Sequence, residues 1–200
     1  TYSFAILITF LLGCWCIWNA PPLLAQTSEG SAQQINDHLE SGENHAFIVR
    51  DLKAGDRLTI LMHATSGNLD PMIGIMDASR PLAEVEAAYR ADTARLAAES
   101  QNIALDLETL RERYFLSWDD DGGEGYSAQL DYSVPVAGDY RIIAGSSLST
   151  LGRATAGNYE LFIRLNAPDA TQALGEPFVE REASGQELRM SAEEVTGSLS

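Results

Sequence analysis

Beyond residue 25 this 200-residue chain has no cysteine; its two, Cys14 and Cys16, both fall before that point. A disulfide framework and a thiol nucleophile are therefore excluded for everything after Ala25. Positive charge is scarce: 13 Lys and Arg stand against 29 Asp and Glu, a formal net charge of −16, and all of these follow Ala25. So acidic a surface argues against nucleic acid, whose phosphates need clustered basic side chains, and against anionic membrane surfaces. Catalytic signatures are missing too. His38, His45 and His63 make no H-E-x-x-H, and nothing in the sequence joins them into a zinc site. Ser146-Ser147 follow Gly145 without a G-x-S-x-G elbow, and Gly122-Gly123-Glu124-Gly125 is too short for a phosphate loop and has no Lys after it. With so many acids, a pair of carboxylates carries no weight by itself. The chain is predicted not to be an enzyme.

What is present begins with an apolar leader. Phe4 to Trp18 is almost wholly apolar, and Leu23-Leu24-Ala25 ends in the small residue that signal peptidase favours. Residues 1–25 are predicted to be a signal peptide cut after Ala25, which makes the protein secreted or periplasmic. A retained membrane anchor is one alternative. Lipidation at Cys14 is another, because Leu11-Leu12-Gly13-Cys14 resembles a lipobox. Trp15, Ile17 and Trp18 continue the apolar run past that cysteine, which favours cleavage; membrane contact is expected only if the leader is kept or lipidated. Export without disulfides fits a bacterial protein that relies on its core. At 45% hydrophobic and 21% charged residues, the composition is globular.

After a polar linker over 26–34 the dominant period is two. Strands are predicted at Ala46 to Val49, Leu58 to Met62, Met72 to Met76, Tyr114 to Trp118, Ala128 to Val134, Tyr140 to Ala144 and Tyr159 to Leu165. Gly, Asp, Asn and Pro mark the turns between them. Leu58, Ile60, Leu130, Tyr140, Ile142, Tyr159 and Leu161 are expected to face the interior. Residues 84–113 contain no Gly or Pro, and Val85, Ala88, Tyr89, Leu96, Ile103, Leu107 and Leu110 recur near helical spacing. That stretch reads as one long amphipathic helix, or as two with a break near Ser100-Gln101-Asn102. Its apolar face is expected to pack on the sandwich rather than to serve as a lid or partner surface. The predicted fold is all-β: an antiparallel, jelly-roll-like sandwich of seven to eight strands with a helical insertion at about 84–113.

Several of these strands carry a family resemblance. Lys53-Ala54-Gly55-Asp56-Arg57-Leu58-Thr59-Ile60 resembles the "aGd-x-l-t-i" strand of bacterial pre-peptidase C-terminal domains. Gly67-Asn68-Leu69-Asp70-Pro71-Met72-Ile73 is similar to their "g-d-l-D-P-x-l" segment, and Trp118-Asp119-Asp120-Asp121-Gly122-Gly123 to their "n-D-D-g-g" turn. Val136 to Ile142 and Ala156 to Leu161 resemble their last two strands. The likeness runs in order over about 35–165, except that the family usually joins "DP" to "DD" by only a strand and a hairpin, where this chain has its helical stretch. The resemblance implies a compact β-sandwich appended to secreted proteins, often peptidases, and generally not itself catalytic; related collagen-binding modules bind matrix or substrate. The domain is expected to cover 35–166, followed by a linker over 167–190. Glu193 to Ser200 resembles the family's opening strand, so 191–200 is expected to start a second repeat of a multidomain protein.

One constellation invites chemistry. Asp119-Asp120-Asp121 precede Gly122-Gly123, and Asp70 joins them if the loops meet; hard cations such as Ca²⁺ take six to eight such oxygens. Ca²⁺ at Asp119, Asp120, Asp121 and Asp70 is one expectation, and a solvated turn in which Asp caps backbone N–H groups is the other. No other cofactor is predicted. The function expected is a binding or accessory module of an exported bacterial protein, partnered by other domains of a longer chain and by a protein or polysaccharide ligand. The alternatives are the extracytoplasmic sensor region of a membrane-anchored signalling protein and an enzyme built around the insertion and the Asp loop.

Overall fold

Alternation of apolar and polar side chains decides the architecture. The computed structural model describes residues 30–99, 103–147, 155–167 and 178–183. In chain order these form β1 (Ser31–Leu39), β2 (His45–Leu52), β3 (Arg57–Ala64), β4 (Pro71–Asp77), α1 (Leu82–Glu99), α2 (Ile103–Tyr114), β5 (Ser117–Asp119), β6 (Ala128–Ser133), β7 (Gly138–Ser146), β8 (Gly157–Leu165) and β9 (Val179–Glu182). One antiparallel sheet is ordered β1-β8-β3-β6 and the other β5-β4-β7-β2-β9. Strand 1 pairs with 8, 2 with 7, 3 with 6 and 4 with 5, the nested pairing of a jelly roll. The all-β sandwich with a helical insertion is thus the fold that the sequence predicts. The predicted leader (1–25) and repeat (191–200) lie outside the described residues. Among the described residues no helix is long and apolar enough to cross a membrane.

All seven residues expected inside are there, each 7% exposed or less, packed with Phe47, Val49, Ile73 and Ile75 between the sheets. Tyr140 buries its ring while its hydroxyl donates to the Val136 carbonyl at 2.7 Å, so its polar end is satisfied. Met72 to Met76 is buried on both faces. Ile73 and Ile75 enter the inter-sheet core. Met72 and Met76 join Ala46 and Ile143 in a second cluster on the outer face, closed by Leu82, Val85 and Phe115 of the insertion. The Phe115 ring lies directly on β4: a Cβ on Gly74 would stand 2.5 Å from Cδ1 and Cε1 of that ring. Only the base of the helical pair seals the sheet, since the later turns of α1 are exposed or half-buried. Arg141, 1% exposed on the same outer face, donates to both carboxylate oxygens of Glu182 at 2.6 and 2.9 Å. That pair fastens β9 to the sheet.

Three sequence expectations need correction. β1 begins at Ser31, inside the expected 26–34 linker, and β9 lies inside the expected 167–190 linker. Both are edge strands with little apolar content, SAQQINDHL and VERE, and edge strands need only one covered face. The predicted strand over Tyr114 to Trp118 is a strand only from Ser117. Tyr114 ends α2, and the Phe115 N–H still donates to the Arg111 carbonyl at 2.8 Å, so the aromatic run covers the sheet before it joins it.

Leu161 is 0% exposed at the centre of the inner core. Leu161→Ala should therefore cost about 2–5 kcal/mol, read as a lowered denaturant midpoint. An unchanged midpoint would place that side chain on the wrong face.

Candidate functional site

The Asp119–Asp121 turn sits where β5 leaves its sheet, and the fold brings Asp70 to it. Asp119 is committed to the backbone: its Oδ2 accepts the N–H groups of Gly122 (2.9 Å) and Gln129 (2.8 Å). A Cβ on Gly122 would stand 2.6 Å from Asp119 Oδ1, so any side chain there would have to displace that carboxylate. Asp120 Oδ2 accepts from Arg111 Nη1 and from the Ser147 hydroxyl, each at 3.0 Å. Arg111 is 8% exposed, and its guanidinium lies 4.6 Å over the Trp118 ring, a cation–π contact in a desolvated setting. The Asp70 backbone is held between Thr155 Oγ1 and the Ser147 N–H, both at 2.7 Å. The corner therefore gathers Asp70, Asp120 and Asp121, with the buried Arg111 guanidinium paired to Asp120. Asp70 has its pKa raised, first by burial and then by the charges of Asp121 and Asp120, while Arg111 pulls it down.

Of the four expected Ca²⁺ ligands, Asp119 and Asp120 thus bond within the protein. Among the described residues no group of three or more His, Cys, Asp or Glu is arranged to hold a metal ion. Arg111 supplies one positive charge to the cluster, through Asp120.

A second polar cluster has no motif in the sequence. His45, 3% exposed, places Nδ1 2.7 Å from the Tyr159 hydroxyl and 3.2 Å from Asp37 Oδ2, with Nε2 3.2 Å from Glu43 Oε1. Arg181 of β9 donates to Asp37 at 2.7 Å. The Tyr159 hydroxyl is pushed up chiefly by burial and also by the Asp37 charge, with Arg181 opposing; it stays protonated at neutral pH. Chemically this resembles an acid–base set, but His45 and Tyr159 are both sealed inside the sandwich, out of reach of a substrate. It ties β1, β2, β8 and β9 together at one end. The other histidines stand apart from it, His38 against Asn158 and Glu40 and His63 against Glu160.

The outward face of β1-β8-β3-β6 differs from the covered face of the other sheet. Its alternate side chains are half-buried or exposed, and no helix packs on it among the described residues. Thr59, Leu61, Gln129, Phe162 and Arg164 line a shallow open depression of about 80 Å³. The His63 ring stacks nearly parallel to Phe162, 14° between planes and 5.9 Å between centroids. Sequence reading places these residues only on the sides of alternating strands opposite the predicted core; the pairing register assembles them.

No family model matches the chain, and no curated protein matches its sequence. Among solved structures the chain is similar to the crystal structure of Aeromonas hydrophila PliG, a periplasmic lysozyme inhibitor of g-type lysozyme. The two are 12% identical with a TM-score of 0.40, covering 68% of this chain and 87% of that one.

The acidic corner gives a prediction with a definite sign. A carboxyl whose folded pKa lies above its unfolded one costs stability when ionised, and the cost is relieved as pH falls through the folded value. Asp70→Asn should raise the denaturant midpoint at pH 7 and give no gain at a pH where wild-type Asp70 is already protonated. A variant less stable than wild type at pH 7 would show that the Asp70 carboxylate is held favourably.

Proposed function

We propose that this chain is a non-catalytic binding module of an exported bacterial protein, joined to other domains as the pre-peptidase C-terminal domains it resembles are. The observation that carries this reading is the unequal treatment of the two sheets. One outer face is sealed by the insertion, while the other presents a row of aromatic, amide and hydroxyl side chains around an open depression. Groups capable of chemistry are already bonded into the fold: His45 to Tyr159 and Glu43, Ser147 to Asp120, Ser146 to Thr155. A general base must reach the proton it removes in a bound substrate, and a buried imidazole facing a tyrosine and two carboxylates does not. The acidic corner has a structural part in this account, bracing the junction of insertion and sandwich.

Incubated with peptide, ester and glycoside substrates, the purified chain should release no product above buffer, while the immobilised chain retains an extracellular polymer. Turnover that falls in His45→Ala or Asp120→Asn would overturn the reading and make one of these clusters an active site.

A further inference from the structure

The four strands of the open sheet place their outward side chains in rows. Gln34 stands opposite Phe162, Phe162 opposite Leu61, and Leu61 opposite Gln129. The row therefore has an apolar centre of Phe162 and Leu61 with a primary amide at each end, and it crosses three inter-strand gaps, about 14 Å. On one side of it Arg164 faces Thr59, and Thr59 faces Asp131. On the other side Glu160 faces His63, whose ring stacks nearly parallel to that of Phe162.

The chemistry of this face selects its ligand. The charges on this face balance: Arg57 and Arg164 stand against Asp131 and Glu160, the Thr59 hydroxyl donates to Asp131 at 2.5 Å, and His63 Nε2 lies 3.2 Å from Glu160. With a chain charge of −16 behind it, the face offers no excess of positive charge to an anionic polymer. A protein partner needs about 800 Å² per side around a buried aromatic anchor, and here the apolar centre is two half-buried side chains. A compact small molecule needs a pocket of about 300–1,000 Å³; the depression is far smaller, about 80 Å³, so a ligand must lie across the face. Amide side chains both donate and accept, as vicinal hydroxyl groups do, and a flat ring suits the C–H face of a sugar.

We propose that the outer face of β1-β8-β3-β6 binds a neutral polysaccharide along the row from Gln34 to Gln129, with Phe162 beneath a sugar ring. This deepens the binding-module reading and rests on it. The test uses the full chain, titrated with cello-, xylo-, manno- and chitohexaose and with an oligogalacturonate as the anionic control, followed by amide chemical shifts. At least one neutral hexaose should saturate, with the largest shifts on β3, β6 and β8. Phe162→Ala should bind it about tenfold more weakly with an unchanged melting temperature, and Gln129→Ala should weaken it too. Failure of all four neutral sugars to bind, or tighter binding of the oligogalacturonate, would overturn the assignment. Shifts mapping to another surface would overturn it and leave the binding module standing, whereas hydrolysis of a hexaose would overturn the module reading itself.

Discussion

The structure depends on one constraint: the five-stranded sheet is apolar on both faces. β4 shows it in five residues, with Ile73 and Ile75 turned inward and Met72 and Met76 outward. A jelly roll covers only one face of each sheet with the other sheet, so a second layer is required. The helical insertion supplies it, entering directly after β4 and returning into β5. Glycine at position 74 lets the Phe115 ring lie on the strand itself. The four-stranded sheet carries no such double pattern, and its outer side chains are left for solvent or a ligand. From this asymmetry comes the position of the insertion, and the proposed binding face rests on it.

Buried charge follows the same logic. Arg141 and Arg111 both sit near the covered side, and each is compensated: Arg141 by the Glu182 carboxylate, Arg111 by Asp120 and the Trp118 ring. A desolvated guanidinium without such partners would cost several kcal/mol, about 3–5 when one partner of a buried pair is removed. These pairs therefore specify where β9 and the Asp119–Asp121 turn are held. The His45 cluster does the same between the sheets, where a tyrosine hydroxyl and two carboxylates leave no ring nitrogen unanswered.

Much of this was legible in the sequence, and the reasons for the rest are physical. Alternation in Leu58 to Met62 and Tyr159 to Leu165, interrupted only by Leu61 and Phe162, predicts the inner faces of β3 and β8, because burial on one side imposes period two. α1 ends at Glu99 and α2 starts at Ile103, on either side of the stretch where the sequence leaves open one helix or two. β9 escapes notice because an edge strand with one apolar residue looks like polar linker, and β1 starts ahead of the expected domain start at residue 35 because Ser31 to Gln34 are polar apart from Ala32. Arg111 reads as a solvated helical arginine until Trp118 and Asp120, several residues on, fold back over it. His45, Asp37 and Tyr159 are brought together from three separate strands, and no local spacing encodes that. Asp70 is the intermediate case: the sequence offers its meeting with the acidic turn as a condition, but not the guanidinium paired to Asp120 beside it.

The central claim is that the insertion seals the outer face of the five-stranded sheet, with Phe115 seated on Gly74. Its most direct measurement is the nuclear Overhauser contact between the Phe115 ring protons and the Gly74 α-protons in the intact chain. Strong cross-peaks are predicted, because a Cβ on Gly74 would stand only 2.5 Å from the ring carbons. Absence of those cross-peaks in a folded protein, with the Phe115 ring open to solvent, would contradict the account.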